Sequence, residues 1–467
     1  MIGRGAVLAV TVGLAATTVG CNGGSSSSTS KSANHGGSSS SGGSSGGSSG
    51  SSGGSGGSSG GSSGGSSGGS SSGSSSGGSS SGGDGGACLG ASLLSAVGKS
   101  KLMIGGTMTA TTAAAAPFDL QYDYISGGLA PGNGPCASCL TGCSASWWGC
   151  WQYDMDPPGE YIRDFAASCA KASPAQVPMI TYYQLLQSSG VTEGAPEVTQ
   201  AATDATFMAK YFADWRFVLQ QIGQSVALLH IEPDFWGYAE QQGSDPTALP
   251  AAVASANGVD CSSLPNTIAG MGQCMIAMVR TYAPHAMVSL HASAWSTDVD
   301  VTLNTSTTLD VATEAQKTAA FLAACGEADA DYIVVETSDR DAGYYQCKGK
   351  QTWWDATNTT LPTFHQDFAW VTALTEALGK PGLYWQTPLG NMTVPDVCPE
   401  PDGGTITWHD NRVDYFFANM NELAAAHVVG AAFGAGQGDQ TTPEDDGNNL
   451  VTKTKAYAAA GGQTLCP

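Results

Sequence analysis

Charge is what this chain lacks first. Only 12% of its 467 residues are charged, and 17 Lys and Arg face 39 Asp and Glu. Gripping a phosphate backbone or an anionic bilayer requires basic clusters, so nucleic acid and anionic membrane surfaces are excluded as partners. Metal-ligand spacing is missing too: the seven histidines are scattered, with no His-x-x-x-His pair. There is no phosphate-binding P-loop, no Gly-x-Gly-x-x-Gly turn after a strand and no Gly-x-Ser-x-Gly elbow. Asp402-Gly403-Gly404 and Glu444-Asp445-Asp446-Gly447 read as solvated acidic turns in preference to calcium loops. No metal and no cofactor is therefore expected.

A long hydrophobic run is absent as well. Arg4 precedes an apolar stretch, Ala6 to Ala16, that is too short to span a bilayer, and Thr18-Val19-Gly20-Cys21 follows. The segment 1–21 resembles a bacterial lipoprotein signal; the resemblance makes Cys21 the lipidated first residue, and Asn22 points to the outer membrane or cell surface. An ordinary secretory signal is the alternative. Residues 22–86 are almost entirely Ser and Gly, a composition that buries no core. Such a coil reaches roughly 40–50 Å and would act as a tether, with a lipid at Cys21 as the chain's contact with a membrane.

What remains, residues 88–467, reads as one folded domain. Thirteen cysteines in an exported chain, less Cys21, leave an even set for which disulfides are the expectation. Cys261–Cys274 and Cys325–Cys347 are plausible local pairs; the close set Cys136, Cys139, Cys143 and Cys150 lacks a nearby His to complete a metal knot. Strand-like runs occupy Lys101–Met108, Asp119–Ile125, Val177–Tyr183, Val226–Ile231, Met287–His291, Tyr332–Glu336, Gly382–Gln386 and Val428–Phe433. Several are continuously apolar, as in strands buried on both faces of a parallel sheet. Helical patterns alternate with them at Glu160–Lys171, Thr206–Ile222, Ile268–Tyr282, Glu314–Cys325, Phe364–Leu378, Arg412–His427 and Leu450–Ala459. Eight βα repeats predict a (β/α)8 barrel. Its first repeat is degenerate, because Thr109 to Pro117 is short for a helical crossover.

In such a barrel the carboxyl ends of the strands converge on one face and carry the ligand site. The fourth run ends in His230-Ile231-Glu232-Pro233-Asp234-Phe235-Trp236-Gly237-Tyr238, and the sixth in Glu336. Glycosidic cleavage needs two carboxyl groups. Strand alternation places Glu232 on the face of His230 and Leu228, pointing into the mouth, so Glu232 is the expected acid/base. Glu336 or Asp234 is its expected partner, with Asp339 and Asp341 nearby. Asp123, Tyr124, Tyr182, Tyr183, His291, Trp295, Trp385 and Gln386 at other strand ends, with Trp148 and Trp236, form the expected sugar-binding set. Rings stack on pyranose faces, while amides, His and carboxylates bond hydroxyls.

Ile231-Glu232-Pro233-Asp234 resembles the Ile-Glu-Pro-Asp strand end of glycoside hydrolase family 6 cellulases, and more loosely the Asn-Glu-Pro of retaining barrel glycosidases. The first resemblance implies an acid in an aspartate-rich turn, but Tyr182-Tyr183-Gln184-Leu185-Leu186-Gln187 has no aspartate. The second implies a glutamate ending the seventh strand, where Gln386 stands. The expectation is thus a surface-tethered barrel glycoside hydrolase acting on a neutral polysaccharide or oligosaccharide. The alternative is a non-catalytic glycan-binding lipoprotein on the same scaffold.

Overall fold

A computed structural model describes residues 88–129, 158–394, 407–434 and 440–465. Cys21, the 22–86 tract, Trp147, Trp148 and Trp151 lie outside them. Nine parallel strand segments form one sheet: β1 Met103–Gly106, β2 Leu120–Ile125, β3 Val177–Tyr182, β4 Leu228–Ile231, β5 Met287–Ser289, β6 His291–Ala292, β7 Ile333–Glu336, β8 Gly382–Thr387 and β9 Val428–Phe433. The order is β5-β4-β3-β2-β1-β9-β8-β7-β6. Only Leu290 separates β5 from β6, so these are two halves of a single barrel strand and the ring closes through the chain itself. This is the (β/α)8 barrel.

The predicted fifth strand is broken for a local reason. The Ser289 hydroxyl accepts the Val334 amide at 2.9 Å, and the Leu290 amide is drawn off to the buried Glu327 carboxylate at 2.9 Å. The first crossover is the six-residue helix Ala110–Ala115, so the first repeat is short and Asp119–Ile125 does contain a barrel strand. The expected helix Arg412–His427 is two pieces, Arg412–Ala418 and Met420–Ala425, broken at Asn419. Among the described residues, no helix is long and apolar enough to cross a membrane.

Two apolar layers hold the barrel together. Inside, Met103, Leu120, Tyr122, Val177, Met179, Leu228, Tyr332, Val334, Leu383, Trp385 and Val429 pack together, with Leu93, Leu94 and Val97 closing the amino-terminal end. Outside, the alternate strand residues meet the helices. The helix Ala205–Ile222 is started by Asp204, whose side chain accepts the Thr206 and Phe207 amides. It buries Tyr211, Trp215, Val218 and Ile222 at helical spacing, with Phe207 partly buried in line with them.

Cys261–Cys274 is a disulfide, as the spacing predicts. Cys325–Cys347 is not: Cys325 is a free, buried thiol, as is Cys169, while Cys347 and Cys88 are disulfide-bonded. Cys325 follows the helix Val311–Ala324 and is enclosed by the core, which holds it as a small hydrophobe.

One buried acid belongs to the helix layer. Asp367, on the helix Phe364–Leu378, accepts the Tyr384 hydroxyl through one oxygen and leaves the other unpartnered. Burial pushes its carboxyl up to about 7. Since the unfolded value is about 3.9, its contribution to stability is fully present below that pH and is lost as pH rises through 7. Asp367→Asn is expected to flatten the fall in urea midpoint between pH 4 and 8; an unchanged slope would show that Asp367 does not govern it.

Candidate active site

The fourth strand end departs from regular geometry. Glu232 and Asp234 both have positive φ, +49° and +65°, on either side of Pro233, and Gln386 at the end of β8 has φ +55°. Non-glycine residues held there are strained, and such residues gather at functional sites. The strain redirects the two carboxylates. Glu232 leaves the strand alternation and turns into the layer between strands and helices. Its Oε1 accepts the Gln184 and Leu185 amides at 3.0 Å each and the Tyr211 hydroxyl at 2.9 Å. It is completely buried, and burial pushes its carboxyl up to about 8. The expectation that Glu232 points into the mouth is corrected: this side chain fixes the β3 and β4 ends.

Asp234 is the carboxylate that reaches the mouth. It is half-buried, makes no capping hydrogen bond to the helix Phe235–Gln242 that follows, and lies beside Glu336 from β7. One oxygen of each, together with a ring nitrogen of His291, lie within 4.8 Å of one another. Burial, then Glu193 and Asp339, raises the Asp234 carboxyl to about 7. Burial, then Asp234, Asp339, Asp300 and Glu193, raises Glu336 well above the usual carboxylate range. Two acids this close ionise together only at high cost, the condition under which one holds a proton for the other.

Behind them lies a row of neutral, buried rings. His291 Nε2 faces Glu336 Oε1 at 4.0 Å, its Nδ1 meets His230 Nε2 at 3.0 Å, and His230 Nδ1 meets Thr181 Oγ1 at 3.2 Å. Burial pushes His291 down to about 3 and His230 well below its ordinary value, so neither carries charge at neutral pH. Trp385 forms the floor, its ring 4.8 Å from His230, 5.9 Å from His291 and 5.6 Å from Tyr124.

The wall is aromatic and amide. The Tyr124 hydroxyl donates to Gln386 Oε1 at 2.5 Å, and the half-buried Tyr183 lies in the field of Asp234. Trp295 and Tyr238 pair at 4.8 Å, both half-buried. Their approach depends on Gly237: a Cβ there would come within 2.8 Å of the Trp295 ring. Opposite, Tyr345 donates to Asp339, which is paired with Arg340 at 2.9 Å.

Three expected sugar contacts lie elsewhere. Asp123 alternates outward from β2 and bonds the Tyr161 hydroxyl of the helix Glu160–Lys171. Tyr182 likewise points outward and donates to Asp214 at 2.8 Å. Trp236 is 1% exposed and donates to the Ile231 carbonyl at 2.9 Å, a core residue. Asp341 is also structural, accepting the Gly390 and Thr441 amides at 2.8 Å each. The turn at Glu444 to Gly447 spends its carboxylates on backbone amides: Glu444 accepts from Thr109 at the start of the first crossover helix, Asp445 from Thr442 and Asp446 from Leu450. Trp148 lies outside the described residues. Sequence reasoning missed Thr181, His230, Glu193 and Asp300. For His230 the signal was there, since it shares the inward face of Leu228; Glu193 and Asp300 lie in loops that carry none.

These elements define a class: a (β/α)8 barrel whose carboxyl-end mouth holds a close carboxylate pair in an aromatic cup. No protein-family model matches the chain, and no curated protein matches it. Among solved structures, a glycoside hydrolase family 5 mannosidase from Rhizomucor miehei is 10% identical over 77% of this chain and 92% of its own, with a TM-score of 0.39. A family 113 β-mannanase from Alicyclobacillus acidocaldarius is 10% identical over 78% and 99%, at 0.37. An endoglucanase, Cel6 from Mycobacterium tuberculosis, is 13% identical at a TM-score of 0.24, and the match spans 48% of this chain and 56% of that one. These neighbours are glycoside hydrolases; at such similarity, the reaction must be argued from this chain's own geometry.

Proposed function

We propose that this protein is a glycoside hydrolase that cleaves a neutral polysaccharide or oligosaccharide with Asp234 and Glu336 as its carboxylate pair. The observation that carries the reading is the approach of their oxygens within 4.8 Å at the mouth of the barrel. Pairs set about 5–5.5 Å apart belong to retaining cleavage, whereas inverting enzymes need about 6.5–9.5 Å for an intervening water. The geometry favours retention. One carboxyl protonates the leaving oxygen while the other attacks the anomeric carbon; water then releases the sugar with the first acting as base. Trp295, Tyr238, Tyr124 and Tyr183 offer ring faces to the sugar, and Gln386 offers an amide to its hydroxyls. The few basic side chains favour an uncharged glycan. We further propose export and a lipid at Cys21, with residues 22–86 as the tether, on the strength of the amino-terminal pattern.

The test is reducing-end release from a panel of plant, fungal and bacterial glycans by the purified chain. Release from one neutral polymer, with product anomers matching the substrate's, is the expected result. Polymer retained without cutting would establish the glycan-binding alternative instead.

A further inference from the structure

Three donor atoms converge at the mouth from neighbouring strand ends: an oxygen of Asp234 after β4, a nitrogen of His291 on β6 and an oxygen of Glu336 on β7, all within 4.8 Å of one another. Arg340, the nearest basic residue in sequence to Glu336, is paired with Asp339. Among the described residues, then, no Lys or Arg forms an ion pair with either of the two acids.

His291 is the second, independent observation. Its side chain is completely buried, and Nε2 has no hydrogen-bond partner while it faces Glu336 at 4.0 Å. A buried polar nitrogen left unpaired costs on the order of 1–3 kcal/mol, so its orientation needs a reason. The ring is held through its other nitrogen by His230, itself held by Thr181. That is how outer hydrogen bonds fix the tautomer and direction of a ligating histidine.

We propose that Asp234, His291 and Glu336 form a site for a divalent transition-metal ion of the zinc type, whose occupancy engages the carboxylate oxygens and switches the hydrolase off. The switch rests on the carboxylate-pair reading; the binding site does not. One imidazole nitrogen with two carboxylate oxygens suits Zn²⁺ and its neighbours, whereas Ca²⁺ and Mg²⁺ prefer all-oxygen shells. With bonds of about 2.0–2.2 Å, ligand atoms stand roughly 3–3.6 Å apart. The required contraction of about 1 Å falls to the half-buried Asp234 and Glu336, with His291 as the fixed point. Three protein ligands leave a position open towards the mouth for water.

The full chain titrated with ZnCl₂ in a calorimeter, with MgCl₂ as the control, tests the site. The expected result is one Zn²⁺ per chain, no comparable Mg²⁺ binding, and affinity at least tenfold weaker in Asp234→Asn, His291→Phe and Glu336→Gln. Absence of stoichiometric zinc, or affinity unchanged in these variants, overturns the site. Circular dichroism checks their folding, and if His291→Phe does not fold, Asp234→Asn and Glu336→Gln, altered at the half-buried positions, decide the matter. His230→Asn is expected to weaken binding by about 10–100-fold through the second nitrogen. In the hydrolysis assay, zinc is expected to inhibit and EDTA to restore the rate; an unchanged or raised rate overturns the switch. No hydrolysis under any condition overturns the switch together with the hydrolase reading, while the zinc titration still decides the site.

Discussion

Asp234→Asn and Glu336→Gln are each expected to lower glycan hydrolysis about 100- to 10,000-fold, the range that positioned acid/base groups supply, whereas Glu232→Gln keeps most of its activity. The contrast follows from where the side chains go. Asp234 and Glu336 meet at the mouth, whereas Glu232 is sealed behind the strand end by two amides and the Tyr211 hydroxyl. Glutamine at 232 retains an oxygen to accept those bonds. Initial rates of reducing-end release settle the order, with thermal melts confirming that all three variants are folded. If Glu232→Gln were as inactive as the other two, the carboxylate would have to swing into the mouth during turnover, and the pair assigned here would be wrong.

Arg412→Met is expected to reduce stability by about 3–5 kcal/mol, the usual cost of leaving one member of a buried ion pair alone. Both Arg412 and Asp410 are completely buried, 2.7 Å apart. The guanidinium also donates to the Thr352 carbonyl at 3.1 Å and lies over Trp354 at 4.5 Å. Asp410 accepts the Ala342 amide at 2.7 Å, and the neighbouring Asp341 accepts amides from Gly390 and Thr441. This node therefore ties the segments that follow β7, β8 and β9 on the side of the barrel where Glu336 emerges. Urea midpoints measure the loss. Asp410→Asn in the Arg412→Met background is expected to recover part of it, because no uncompensated charge then stays buried; a further drop would mean the node works by shape alone.

The barrel was readable because its strands are buried on both faces and so appear as unbroken apolar runs. The strands from Met103–Gly106 to Val428–Phe433 fall on the eight runs expected from Lys101–Met108 to Val428–Phe433, and helices such as Ile268–Tyr282 and Phe364–Leu378 match to the residue. The site was readable as a place and less so as an assignment. Alternation works only while a strand stays regular, and beyond β4 the backbone takes positive φ at Glu232 and Asp234, where Glu232 turns from the mouth and Asp234 reaches it. The same rule, applied strictly, would have sent Asp123 and Tyr182 outward, since Tyr122 and Tyr124 take the inward positions on β2. Trp236 shows the limit of composition: an aromatic beside a carboxylate-bearing strand end is as readily a core residue. The His291 grouping left no trace in sequence spacing, because its three members come from separate strands and meet only when the barrel forms.

The break at Leu290 gives the barrel a seam. In the backbone ladder, Met287–Ser289 pairs with β4 and His291–Ala292 pairs with β7, so the ring closes across Leu290 and through the Asp331 amide to the Val288 carbonyl and the Val334 amide to the Ser289 hydroxyl, each at 2.9 Å. Asp234 follows β4 on one flank of this broken strand, His291 lies on its second half, and Glu336 ends β7 on the other flank. The separation of the two carboxylates is therefore set across the broken strand, and a shift of β4 against β7 changes it.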